Sequence, residues 1–103
     1  MCKKTNSSAN GTSFHDVTIF ASVQDLIKAL GEPTIQDNTG EDKVNFEWVM
    51  ETEDGDVFTI YDWKEYRKIN DIEVIEWHIG AHSKSVSNVA KMEIQKQLND
   101  LFN

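Results

Sequence analysis

The apolar positions change period several times along the chain, and each change marks an element. Residues 14–21, FHDVTIFA, alternate loosely, with Val17, Ile19 and Phe20 apolar, and predict a strand suited to a sheet edge. In SVQDLIKALGEP, Val23, Leu26, Ile27 and Leu30 fall at i, i+3, i+4 and i+7, one stripe of a short helix of about nine residues. Ser22 stands at the N-cap position with Asp25 three residues on. Gly31 offers a left-handed C-cap and Pro33 blocks continuation. A polar loop, TIQDNTGED, follows.

Residues 43–63 predict a two-stranded hairpin. Val44, Phe46, Trp48 and Met50 alternate with Asn45, Glu47 and Glu51, and Asp54-Gly55 marks the turn. A two-residue turn pairs Trp48 with Tyr61 and Phe46 with Trp63. A three-residue bulged loop pairs Trp48 with Ile60 and Met50 with Phe58, and moves Tyr61 and Trp63 to the opposite face beside Val49. A one-residue slip exchanges the faces, so both registers stay open. In either one, each face of the hairpin carries large apolar groups. Helices can cover one face; the other needs a partner subunit, a ligand or a wrapped helix.

After the connector KEYRKIND, residues 72–79 predict another strand. Ile75, Trp77 and Ile79 share one face, with Ile72, Val74, Glu76 and His78 on the other, and Gly80 ends it. From about Ser85 the period becomes helical, with a stripe of Val86, Ala90, Ile94, Leu98 and Leu101 or Phe102. The order β-α-β-β-β-α predicts an α+β domain over residues 14–103, an antiparallel sheet of three to four strands with two helices. Residues 1–13, MCKKTNSSANGTS, are small, polar and aperiodic, and are expected to be a disordered tail.

Composition narrows the class. A chain of 103 residues, 39% of them hydrophobic, supports one modest core. No apolar run approaches a membrane span, and no apolar stretch follows Lys3 and Lys4, so neither membrane insertion nor a signal peptide is expected. The single cysteine, Cys2, cannot form an internal disulfide, and a reducing cytoplasm is the expected setting. Between Glu41 and Glu76 stand 12 acidic and 4 basic residues, which accounts for the whole net charge of −8. Direct nucleic-acid binding is therefore not expected, because affinity for a phosphate backbone comes from Lys and Arg.

Motifs for chemistry are sparse. The five glycines are scattered, with no phosphate-cradling loop, and no cofactor is expected. His78 and His82 are four apart with Gly80 between them at a strand end, a spacing that makes a metal pair only on a helix, so no metal is expected. Glu47, Glu51, Asp62, Glu73 and Glu76 alternate as a solvated strand face does, without sign of the desolvated carboxyl that acid–base catalysis needs. What remains is an aromatic and charged cluster: Trp48, Tyr61, Trp63, Lys64, Tyr66, Arg67, Trp77 and His78. Rings of this kind stack a nucleobase, and Lys64, Arg67 or His78 hold phosphate. The same residue types equally form a protein–protein hot spot, where Trp, Tyr and Arg are enriched, and the plain alternative makes Trp48 and Trp77 core, and Tyr66 and Arg67 a solvated loop.

The phrases LIKALGEP, KVNFEW, TIYDWKEYR and EWHIG resemble a group of small proteins encoded by tailed bacteriophages and prophages, over about residues 14–80. The resemblance implies a phage accessory protein working in the host bacterial cytoplasm, a setting in which such proteins counter host defence. The expectation that joins context and residues is a non-enzymatic, homo-oligomeric protein that sequesters a small nucleotide-like defence signal. Trp63, Lys64, Tyr66, Arg67, Trp77 and His78 form its expected ligand-binding set. The competing expectation is an acidic module that inhibits a host defence or DNA-binding enzyme through Glu47, Glu51, Glu53, Asp54 and Asp56. A small nucleotide hydrolase is a minor third.

Overall fold

A computed structural model of the chain describes residues 1–102. The class is α+β: two helices lie on one face of an antiparallel sheet. The strands are β1 (Lys3–Lys4), β2 (Ser13–Ala21), β3 (Ile35–Gln36), β4 (Phe46–Glu51), β5 (Val57–Tyr61) and β6 (Ile75–Ala81). The helices are α1 (Val23–Leu30) and α2 (Lys84–Asp100). The sheet runs β1-β4-β5-β6-β2, with β3 also paired to β4. It thus has six strands rather than the expected three or four. The two additions, β1 and β3, are two-residue strands that both bond to the outer edge of β4.

α1 is built from local signals. The Ser22 side chain accepts a hydrogen bond from the Asp25 N–H at 3.1 Å, and Gly31, at φ 93°, donates its N–H to the Ile27 carbonyl. Ser83 caps α2 in the same way through the Val86 N–H. Val23, Leu26 and Leu30 of α1 and Ala90, Ile94 and Leu98 of α2 enter the core.

The hairpin adopts the three-residue loop. Trp48 pairs with Ile60 and Met50 with Phe58. The Thr52 N–H bonds the Asp56 carbonyl, which leaves Glu53, Asp54 and Gly55 as the loop, with Gly55 at φ 90°. A three-residue loop needs that left-handed residue, and glycine adopts it without a Cβ clash. This register sends Phe46, Trp48, Met50, Phe58 and Ile60 under the helices and turns Glu47 and Tyr61 to the other face.

Two of the three tryptophans are core. Trp48 and Trp77 are fully buried and meet edge to face with centroids 5.5 Å apart. Their indole N–H groups donate to the Gly31 and Ala21 carbonyls, each at 2.9 Å. The two rings therefore fasten both ends of α1 to the sheet while leaving no buried donor unpaired.

The N-terminal segment departs from the expected disordered tail. Cys2 is buried, and its N–H and its thiol both lie 3.0 Å from the Gln97 Oε1. Gln97 in turn donates to the Ala29 carbonyl at 3.2 Å, so one amide ties the N-terminus to both helices. Burial, with the Glu93 charge adding to it, pushes the Cys2 thiol up to about 11. Among the described residues no helix is long and apolar enough to cross a membrane.

Candidate functional site

The face of the sheet away from the helices carries an aromatic cluster of Phe14, Tyr61, Trp63 and His78. On β6, His78 points to this face because Trp77 and Ile79 point to the core. On β5, Tyr61 pairs with His78 and Glu47 and meets the imidazole edge to face at 5.6 Å. Trp63, 41% exposed, continues that face; its ring lies 6.1 Å from Tyr61 and is stacked 6.3 Å from His78. Phe14 completes the cluster from β2, stacked on His78 at 4.0 Å.

Two features shape this floor. Between Phe14 and Thr18 the β2–β6 register shifts, and Asp16 takes φ 62° within the irregularity. Three residues of β2 thus span the interval opposite Ile79, and Phe14 and Thr18 both stay on the open face. Gly80 lies between Phe14 and Thr59, and a Cβ there would come within 2.7 Å of the Thr59 Oγ1. The missing side chain lets Thr59 and Tyr61 close up beside it.

Trp63 is held by a stitched pair of loops. Asp62 is fully buried, and its carboxylate accepts the Asn45 N–H at 2.8 Å, the Phe46 N–H at 2.8 Å and the Asn45 side-chain amide at 3.1 Å. Asn45 also donates to the Arg67 carbonyl, and Asn38 bonds both backbone groups of Ile69. The Lys64 N–H reaches the Lys43 carbonyl at 2.8 Å. These bonds hold Lys64 and Tyr66 at φ 55° and 50°, left-handed conformations that cost a non-glycine residue roughly 1 kcal/mol each.

The consequence is electrostatic. The Lys43 and Lys64 ammonium groups stand 5.8 and 5.6 Å from the centroid of the Trp63 ring. Among the described residues neither forms an ion pair. Burial lowers the His78 pKa, with Glu76 opposing, so at neutral pH His78 presents a neutral ring rather than a cation. Burial raises the Glu47 carboxyl, and burial together with the Glu47 charge raises the Tyr61 hydroxyl.

Of the six residues expected to bind ligand, Trp63, Lys64 and His78 come together here. Trp77 does not: it lies on the opposite face of β6, with no exposed surface. Arg67 points its guanidinium at Glu73 in a two-bond fork of 2.8 and 2.6 Å, with Glu65 at 3.7 Å. The Glu73 carboxylate raises the Arg67 pKa, and its own is lowered in return. Tyr66 is exposed in the same loop, and among the described residues no ring contact joins it to the cluster. The residues absent from the expected set are Phe14, Tyr61 and Lys43. Alternation along β2 and β5 carries a signal for the first two; Lys43 arrives only through the loop pairing.

Among the described residues no group of three His, Cys, Asp or Glu could hold a metal ion. An open groove of about 450 Å³, lined by Gln24, Ile27, Lys28, Asp71 and Ile72, lies beside α1 and shares no residue with the aromatic cluster. No family model, curated protein or solved structure matches the chain, so the site is read from its own geometry.

Proposed function

We propose that the chain is a non-enzymatic binding protein that captures a small nucleotide-like molecule on the open face of its sheet. The observation that carries this reading is the pair of ammonium groups, Lys43 and Lys64, which form no ion pair among the described residues and stand beside one exposed indole, Trp63. A planar base gains stacking contact on Trp63 and on the Phe14–His78 rings. A phosphate gains two cations whose hydrogen-bond donors no carboxylate engages among the described residues. Arg67 is not assigned to phosphate, because Glu73 already fills its fork. The wider setting, a phage accessory protein that sequesters a host signal in the bacterial cytoplasm, is proposed from the sequence resemblance and not from the site.

Native mass spectrometry with cyclic dinucleotides and ADP-ribose derivatives tests the reading. The expected result is uptake of intact nucleotide, quenching of the exposed Trp63, and loss of both in Trp63→Ala and in the Lys43→Ala, Lys64→Ala double variant. No mass gain with any member of the panel, or uptake that survives both variants, would overturn it.

A further inference from the structure

Residues 6–12, NSSANGT, carry the chain from β1 to β2, which stand at opposite ends of the strand order. They form a strap that reaches the face away from the helices. Alternation along β6 turns Ala81 to the core and His82 to the other side, and Gly11 lies against the His82 imidazole. No residue of the strap is buried, and local bonds give it its shape. The Ser7 N–H donates to the Thr5 Oγ1, the Asn10 N–H to the Ser8 Oγ, and the Thr12 N–H to the Ala9 carbonyl, each at 3.1 Å. The last bond closes a turn with Gly11 in third position at φ 84°, the geometry of a type II turn. Among the described residues the Gly11 N–H makes no hydrogen bond.

We propose that Asn10 is a self-modification site: the Gly11 nitrogen attacks the Asn10 side-chain amide, the asparagine becomes a mixture of aspartyl and isoaspartyl residues, and the strap is displaced from His82. Rotating the Asn10–Gly11 peptide plane swings the nitrogen round to the side chain, and glycine, which takes either sign of φ, has no Cβ to block it. The Gly11 nitrogen gives its proton to solvent and bonds to the Asn10 Cγ, which closes a succinimide ring. The Cγ–Nδ2 bond breaks, and Nδ2 takes a proton from water and leaves as ammonia. Water then opens the ring at either carbonyl. Breaking the new N–Cγ bond gives an aspartyl residue, and breaking the original peptide bond gives an isoaspartyl residue. One water is consumed and one ammonia released, with no change of oxidation state.

The fold selects Asn10 over the other asparagines. After Asn6, the Ser7 N–H is held by Thr5. Asn38 spends its side chain on Ile69, and the Thr39 N–H after it bonds the Asp37 carbonyl. Asn45 is buried and bonded to Asp62, which also holds the Phe46 N–H. The Asn70 Oδ1 accepts the Ile72 N–H, and Asn88 and Asn99 lie within α2, whose backbone cannot rotate freely. Asn10 alone combines an exposed side chain with an unbonded glycine nitrogen after it. The reaction takes the net charge from −8 to −9. The isoaspartyl form also adds a methylene to the backbone beside Gly11. Little room exists for it, because even a Cβ on Gly11 would stand 3.2 Å from the His82 Cε1. The inference does not depend on the ligand proposed above, and its test needs no ligand.

The test is to hold the full chain at mildly alkaline pH and map its peptides by mass spectrometry over time. The peptide containing Asn10 is expected to gain about one mass unit and to split into two chromatographic products. Its conversion should outpace that of every other asparagine by about tenfold or more, the ratio that one side-chain clash in the barrier produces. Asn10→Gln, at an exposed position, should keep its mass. In the aged protein the circular dichroism spectrum should be unchanged while the His82 ring resonances shift. No mass gain at Asn10, equal conversion at the other asparagines, or an aspartyl product alone would each overturn the modification. Unmoved His82 signals after conversion would overturn the displacement of the strap.

Discussion

Phe14 lies flat on His78, with ring centroids 4.0 Å apart and planes 12° from parallel. The pair joins the edge strand to the central part of the sheet on the face without helices. It exists because the β2 irregularity and the side-chain-free Gly80 let Phe14 lean along β6. Tyr61 and Trp63 then pack around the same imidazole, which makes His78 the hub of the surface.

His78 should make stability depend on mild acid. Its pKa is depressed from 6.5 in the folded chain, chiefly by burial. The unfolded chain therefore takes up the proton first as pH falls. The associated stability is fully present above about 6.5 and is lost as pH falls through the lower folded value. Urea midpoints measured from pH 8 to pH 5 should decline, and His78→Phe should flatten that decline. In an NMR titration Phe14→Ala should move the His78 pKa back toward 6.5, because removing the ring readmits water.

Glu47 has the opposite sign. Burial raises its carboxyl, so the folded chain holds this proton more tightly than the unfolded chain does. The favourable contribution is complete at low pH and is lost as pH rises through the folded value. At pH 7 the charged Glu47 is thus a liability, and Glu47→Gln should raise the denaturation midpoint. The same change removes the charge that helps hold up the Tyr61 hydroxyl, so ultraviolet titration should show the Tyr61 pKa falling. An unmoved tyrosine would mean that Glu47 does not face it in solution.

Asp62 should matter more to stability than any other carboxylate. It is fully buried and accepts two backbone N–H groups and one side-chain amide. Asp62→Ala strands those donors and should cost about 3 kcal/mol in chemical denaturation, whereas Asp62→Asn keeps one acceptor and should cost about half as much. Because these bonds tether the strand end that carries Trp63, iodide quenching of tryptophan emission should rise in Asp62→Asn. A loss below about 1 kcal/mol in Asp62→Ala would show that water reaches the carboxylate.

The parts of this fold that were legible in the sequence are those made by neighbours. α1 carries its own stop and start in Ser22, Asp25 and Gly31, and it forms where they place it. The hairpin register turned on whether Asp54-Gly55 formed the whole loop or part of it, a one-residue question that alternation cannot answer. β1 and β3 are two residues each and have no period to detect; Lys3 and Lys4 become a strand only because β4 lies beside them. For the site, alternation along residues 75–79 already sets Trp77 and His78 on opposite faces, so one surface could not hold both. The Arg67–Glu73 fork depends on a loop fold that spacing does not reveal.

Gly80 offers the sharpest test of the open face. A methyl group there would approach the Thr59 Oγ1 to 2.7 Å and the Tyr61 ring to 3.5 Å. Thr59 is 3% exposed and sits within paired strands, so it has little room to give way. Gly80→Ala should therefore destabilise the protein by about 1–3 kcal/mol, the range for overpacking a filled site. Thr59→Ala removes the obstructing hydroxyl and leaves space for the new methyl. The double variant should be more stable than the sum of the two single losses predicts, by about 1 kcal/mol, because the two sites share one contact. Additive losses would mean that the methyl group is accommodated by strand movement instead. The His78 ring resonances, which report the Tyr61 contact, should shift in Gly80→Ala and return toward their original positions in the double variant.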